Sequence, residues 1–182
     1  MTDLGATARR FAAGDSAAFR EIVTATSAQL VRVAARIMGN LSDGEDVVQE
    51  SYMKAHRALT SGQFDGRSSV STWLHRIVTN TAIDALRSRA RRPLGSDTVE
   101  RVAWDGASAM EARLALAELD DMLADLPADQ RAALVLKTVE GLSAKEIAES
   151  MDTTEGAVEQ LLVRGRVALA AWRRDGSAKG DT

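Results

Sequence analysis

Between Phe64 and Arg92 stand six arginines, Arg67, Arg76, Arg87, Arg89, Arg91 and Arg92, against Asp65 and Asp84. That is a local charge of +4 in a chain whose formal net charge is −3. Guanidinium groups are planar forks of donors that match phosphate oxygens, so this clustering points to attraction of a nucleic-acid backbone. Asn80, Asp84, Arg87 and Arg91 recur at i, i+4, i+7 and i+11, one side of a helix, while Leu74, Ile77, Val78, Ala85 and Leu86 point toward a core. Asn80 can read base edges where the arginines anchor phosphates. A second loaded stretch is acidic: Asp43, Asp46, Gln49, Glu50 and Met53 fall opposite the apolar Val47, Val48, Tyr52 and Ala55. Carboxylates in a first turn are favoured by the helix dipole, which accounts for Asp43 and Glu45. Asp46 and Glu50 lie further along and fit either a solvated face or a basic partner. A third stretch, Met110 to Gln130, carries six acids against Arg113, a charge of −5. Charge is segregated, and the net value conceals a basic surface.

The elements that position these groups read as helices throughout. From Asp15, residues Phe19, Ile22, Val23, Leu30, Val33 and Ile37 keep helical spacing up to the stop at Gly39-Asn40. Ser42 with Glu45 reads as a capping box opening the acidic helix, which runs to about Leu59. The loop SGQFDGRSSVS follows, and the arginine helix spans about Thr72 to the residue before Pro93. Trp73, four residues before Ile77, reads as a core residue rather than a base contact. Residues 93–109 hold no sustained period and read as a linker, mobile in the isolated chain. Helical pattern returns at Met110, with Leu116, Leu119, Leu123 and Leu126 on one stripe. Pro127 fits the first turn of the next helix and Gly141 its close. Ser143 and Glu146 form a second capping box, and a last helix runs from about Thr154 to Trp172. No alternating run is long enough for a strand. The fold class expected is all-α: two small helical domains joined by a flexible linker.

The stretch GLSAKEIAESMDTTEGAVEQLLVRGRVAL has the spacing of a helix-turn-helix, with Ile147 and Ala148 inward, a turn at Met151 to Thr153, and Val158, Leu162, Gly165 and Leu169 inward again. Such a unit lays its second helix in the major groove with its first residues toward base edges, although bundles without DNA contain such turns too.

With its flanks, LPADQRAALVLKTVEGLSAKEIAESMDTTEGAVEQLL resembles region 4 of bacterial sigma-70-type factors of the extracytoplasmic-function group. SDGEDVVQESYMKAHRAL is similar to region 2.2 of that family, and FDGRSSVSTWLHRIVTNTAIDALRSRARRP to regions 2.3 and 2.4. The resemblance covers about residues 11–92 and 113–172. It implies a region 2 domain over 1–92, a linker over 93–112, a region 4 domain over 113–175 and a tail over 176–182. It further implies a transcription initiation factor whose Asp46, Gln49 and Glu50 dock on the β′ clamp helices of core RNA polymerase, with the β flap as a second polymerase contact. The −10 element would be held by Arg67, Ser68, Ser69, Ser71, Arg76, Asn80, Asp84, Arg87 and Arg91, a flipped base entering a pocket of the loop at Gly66 to Ser71. The −35 element would be read by Thr154, Glu155, Gly156, Glu159, Gln160, Val163, Arg164 and Arg166. An anti-sigma factor is the further partner implied.

Two departures from the family pattern qualify this. Housekeeping members carry two adjacent tryptophans as a melting wedge; here Leu74 follows Trp73, as in the extracytoplasmic-function group, which implies weaker melting and stricter promoter demands. On the recognition helix, Glu159, Leu161 and Val163 stand where lysine, arginine and histidine are usual. From Thr154 to Ala170 two glutamates balance two arginines, so an attenuated −35 readout is expected.

Other classes fit less of the chain. There is no nucleotide loop, no candidate triad and no paired carboxylates with a base, so no enzyme and no cofactor is expected. Without cysteine, and with only His56 and His75, no metal site is expected and a reducing compartment is. The opening MTDLGATARRFAAG has no apolar core, and no run reaches the ~18 apolar residues of a membrane span. A cytoplasmic location without membrane insertion follows as the expectation. A stand-alone helix-turn-helix regulator would account for residues 127–172 but leave the acidic and arginine helices without a role. A purely protein-binding adaptor would not need the basic helix.

Overall fold

The computed structural model describes residues 3–91, 122, 123 and 125–179, and within them every regular element is an α-helix. A short helix α1, Leu4–Ala12, precedes those expected; Asp3 caps it, accepting from the amides of Gly5 and Ala6 at 3.0 and 3.1 Å. Arg10 then reaches Asp15 (2.6 Å) and Glu21 (3.0 Å), tying α1 to α2, Ser16–Met38. Phe11, Phe19 and His56 meet tilted or edge-to-face at centroid distances of 5.0 to 5.3 Å. Helix α2 ends where Gly39 takes φ +88°, a left-handed conformation that favours glycine.

Helix α3, Leu41–Thr60, is capped differently from the expectation. Asn40, not Ser42, is the cap: its Oδ1 accepts from the Asp43 amide at 2.8 Å and its Nδ2 donates to the Asp43 carboxylate at 2.6 Å. The buried Asn40 leaves Ser42 exposed inside the first turn. Helix α4, Val70–Arg91, starts two residues earlier than expected because Ser69 caps it, its Oγ accepting from Thr72 N at 3.0 Å. Its inward face is shifted by part of a turn. Leu74 and Val78 are buried, but Ile77, Ala85 and Leu86 only half so, and Thr79, Thr81, Ala82 and Ile83 fill the core.

The C-terminal helices are α5, Ala128–Thr138; α6, Ala144–Ser150; and α7, Glu155–Lys179. Pro127 stands at the cap position of α5, one residue outside the first turn. Ser143 and Glu146 form the expected capping box, and the hydrogen bonds from Ser143 hold the Glu146 carboxyl below the usual range. Helix α7 runs past Trp172 to Lys179. It packs so tightly on α5 that a Cβ at Gly165 would lie 2.7 Å from Leu134 Cδ1. Leu123 and Leu126 are buried, as their stripe predicts. The linker and the rest of that stripe lie outside the described residues, as does Arg92.

Helices α2, α3 and α4 form one layer system and α5 to α7 a second. α2 and α4 also touch α5, α4 touches α6, and the buried residues of both systems form one continuous cluster. Among the described residues no helix is long and apolar enough to cross a membrane, and no group of three or more His, Asp or Glu side chains could hold a metal ion.

Candidate nucleic-acid interface

Helix α3 is rooted by buried Val47, Val48, Ser51, Ala55 and Leu59, so its opposite side is presented to solvent on a rigid base. Asp46, Gln49 and Glu50 are all exposed there, beside Met53 at 62% exposure. Asp43 is drawn away from them: Arg89 of α4 pairs with its Oδ2 at 2.7 Å, and Asn40 Nδ2 donates to the same oxygen at 2.6 Å. Glu50 pairs with Lys54 one turn on (2.8 Å), and Lys54 Nζ donates to Thr81 Oγ1 of α4 at 3.0 Å. Lys54 thus links the acidic face of α3 to the arginine helix.

On α4 and the loop before it, a cleft of about 1,120 Å³ gathers Lys54, Phe64, Arg67, Trp73, Arg76 and Asn80, with Ser68 at its edge. Trp73 is half-buried, with its ring 4.7 Å from that of Phe64 at 42°. An aromatic pair among cations is the composition of a single-strand platform, where bases stack and backbone charge is offset. Gly66 takes φ +70° at the loop's turn, and Arg67 folds back on Asp65, its amide donating at 3.0 Å and its guanidinium at 3.2 Å. Ser69 is engaged in the α4 cap and also shares a 2.8 Å hydrogen bond with Thr72 Oγ1; Ser71 is half-buried in the first turn. Asp84, Arg87 and Arg91 continue the exposed side of α4 away from the cleft, with Asp84 and Arg87 at 4.0 Å.

The second wall of the cleft comes from the helix-turn-helix: Asp152, Thr154 and Glu155 face α4 across it. Val158 and Leu162 bury one side of α7, and Thr154 caps it by accepting from Ala157 N at 3.2 Å. Glu155, Gly156, Glu159, Gln160, Val163, Arg164 and Arg166 are all exposed, Val163 at 58%. The turn between α6 and α7 is set by Asp152 at φ +54°, a left-handed conformation that aspartate tolerates better than most residues.

The residues singled out by spacing lie in three groups. Asp46, Gln49 and Glu50 share one exposed face; Arg67, Ser68, Arg76 and Asn80 share one cleft; the α7 set shares one exposed helix side. Lys54 and Phe64 join the cleft without having been singled out. Lys54 carries a local cue, four residues after Glu50, whereas the approach of Phe64 to Trp73 depends on how the loop folds back. His75 is buried, with Nε2 3.9 Å from Glu140 Oε2. Burial pushes its pKa below the ordinary imidazole value, opposed by the Glu140 charge.

Comparison with known proteins shows the family. The family model for sigma-70 region 2 matches residues 22–92, and that for sigma-70 region 4 matches residues 116–169. The chain is 36% identical over 172 residues to the RNA polymerase sigma-H factor of Pseudomonas aeruginosa, covering 86% of each. It is likewise 36% identical over 168 residues to the ECF RNA polymerase sigma-E factor of Salmonella typhimurium, again covering 86% of each. Among solved structures, CnrH in complex with the cytosolic domain of CnrY superposes with a TM-score of 0.68 at 26% identity, covering 100% of both chains. SigJ of Mycobacterium tuberculosis, an extracytoplasmic function sigma factor, gives 0.56 at 30% identity over 80% of this chain and 51% of that one. With regions 2 and 4 both matched and relatives above 30% identity covered to 86% of their length, the chain belongs to the sigma-70 family as a sigma factor of the extracytoplasmic-function type.

Proposed function

We propose that this sigma factor, which directs RNA polymerase to promoters, divides the work among the three surfaces described. Asp46, Gln49 and Glu50 seat on basic side chains of the β′ clamp helices, and region 4 meets the β flap. The cleft of Arg67, Ser68, Arg76 and Asn80, with Ser69 and Ser71 shaping its loop, holds the unpaired strand of the −10 element. Asp84, Arg87 and Arg91 extend that contact along α4. The exposed side of α7, from Thr154 through Glu155, Gly156, Glu159, Gln160, Val163, Arg164 and Arg166, lies in the major groove at −35. Residues 1–92 act as one unit, 93–112 as linker, 113–175 as the second unit and 176–182 as tail.

The observation that carries this is the joint occurrence of an exposed carboxylate row on α3 and an aromatic-cationic cleft on α4, linked through Lys54. A stand-alone regulator needs neither. Extruding a base costs a few kcal/mol, and the Phe64–Trp73 platform with its cations offers contacts to set against that. The exposed glutamates of α7 leave few phosphate contacts, so −35 binding falls only gently with salt. The chain works by binding, in the cytoplasm, and not as an enzyme. An anti-sigma factor is a further partner, since solved relatives of similar fold are held by CnrY and, in Bartonella quintana, by the anti-sigma factor NepR.

Run-off transcription with purified core polymerase on a promoter library tests the reading. Discrete transcripts that depend on the chain support it. Duplex binding without any stimulation of core polymerase would instead make the chain a stand-alone regulator.

A further inference from the structure

Helix α7 turns a line of uncharged residues outward. Gly156, Gln160, Val163 and Val167 recur at i, i+4, i+7 and i+11, and all four are exposed. They lie opposite the buried Val158, Leu162 and Gly165 that root the helix. Valines at 58% and 61% exposure, with no charge on their line, are not what a merely solvated helix face carries. The charges stand to either side: Arg164 on one flank, and Arg166 with Glu155 and Glu159 on the other.

Gly156 is a second, independent observation. Glycine weakens a helix relative to alanine, so it is useful only where a side chain would collide. At Gly165 the obstacle is internal, since a Cβ there would lie 2.7 Å from Leu134 Cδ1. At Gly156 an added Cβ meets nothing within 4 Å, and the backbone is ordinary helix. Nothing inside the chain calls for this glycine, whereas a ligand pressed against the first turn does.

The side chains on the line match particular base edges. A carboxamide fits adenine, with Gln160 Nε2 donating to N7 and Oε1 accepting from N6, and an apolar side chain fits the methyl group of thymine. Residues 160 and 163 are about 4.5 Å apart along the helix axis, against about 3.4 Å per base step, so they fall on neighbouring pairs. The usual guanine reader, an arginine or lysine bidentate on O6 and N7, is absent from this line. Arg164 and Arg166 diverge by about 160° around the axis, toward the two walls of a groove.

We infer, with α7 lying in the major groove at −35 as proposed above, that it reads an A·T step there. Gly156 lets the first turn close on the base edges, Gln160 holds an adenine, and Val163 packs on the methyl group of a neighbouring thymine. Arg164 and Arg166 anchor the flanking phosphates and carry no base preference. Glu155 and Glu159 leave one flank poor in phosphate attraction, so the uncharged line supplies the discrimination.

Core polymerase loaded with the full chain, selecting from a promoter randomised across the −35 region, tests this. The wild type is expected to enrich adenine and thymine at neighbouring pairs. Gln160→Ala is expected to lose the adenine preference and Val163→Ala the thymine preference. On the selected promoter, 7-deazaadenine removes N7 and deoxyuridine removes the methyl group. The first is expected to weaken binding by the wild-type holoenzyme about tenfold. The second is expected to weaken it about fourfold, and each to leave the matching variant unaffected. Gly156→Ala is expected to bind about tenfold more weakly, as for one mismatched pair, with an unchanged thermal melt. Guanine enriched at these pairs, base analogues acting equally on wild type and variant, or Gly156→Ala binding like the wild type would overturn the inference and leave α7 at −35. A wild type with no sequence preference across the −35 region would overturn both.

Discussion

Asp46→Arg with Glu50→Arg is expected to lower affinity for core polymerase by about two to three orders of magnitude, because like charges placed across a docking surface cost several kcal/mol. Promoter-directed RNA falls in step. Both side chains are exposed and neither touches the core, so the fold should survive. The reversal gives up the Glu50–Lys54 pair, an exposed i, i+4 contact worth a few tenths of a kcal/mol. Pull-down of core polymerase alongside a thermal melt distinguishes a docking defect from unfolding. An unchanged melt with lost core binding is the expected pair of results; retained binding would place the polymerase contact elsewhere.

Gly44→Leu is expected to cost about 3 kcal/mol or more of stability, at or beyond the upper end of ordinary overpacking. Gly44 is where α3 crosses α2: a Cβ there would lie 2.6 Å from both Cα and N of Ala35, and 2.9 Å from its Cβ. Backbone cannot swing aside as a flexible side chain can, so α3 must move as a unit. Glycine inside a helix costs about 1 kcal/mol relative to alanine, and the close crossing is what it is kept for. Since Asp46 and Glu50 ride on the same helix, the shift should also disturb docking. Denaturant unfolding measures the loss. Gly156, with nothing within 4 Å of an added Cβ, is the contrast: alanine there should leave stability unchanged or slightly raised.

Much of this architecture is legible from local pattern. Helical spacing marks α2 through α7, Gly39 and Ser143 mark their ends, and the helix-turn-helix follows from Ile147, Ala148, Val158 and Leu162. Helix α1 has the spacing, with Leu4, Ala8 and Phe11 at i, i+4 and i+7, but nine residues with a glycine at the second position make a short signal, and the Asp3 cap and Phe11 against Phe19 hold it in place. Ser42 and Glu45 satisfy the local capping rule, but the buried Asn40 does so two residues earlier and also grips Asp43. Ile77, Ala85 and Leu86 read as core by spacing, but α2 and α3 approach α4 from a slightly different side and bury Thr79, Thr81 and Ile83 instead. The exposed faces of α3 and α7 came through well, since polar side chains opposite an apolar stripe have one place to go. What local pattern cannot carry is contact between distant helices. No local pattern marks Arg131 in its helix or Glu140 in its turn for burial, and only the tertiary arrangement puts them under cover against Arg36, Gln29 and His75.

The α4 cleft is proposed to hold unpaired promoter DNA while α3 is seated on polymerase. Permanganate oxidation of thymines at the −10 element tests it, comparing core polymerase with wild-type chain against core with Arg67→Ala and Asn80→Ala. Reactive thymines are expected only when core and chain are both present. At least a roughly tenfold loss of reactivity is expected in the variant at equal core binding, since base and phosphate contacts worth about 1–3 kcal/mol each are removed. Equal reactivity from the variant, or thymines exposed by the chain without core polymerase, would contradict the proposal.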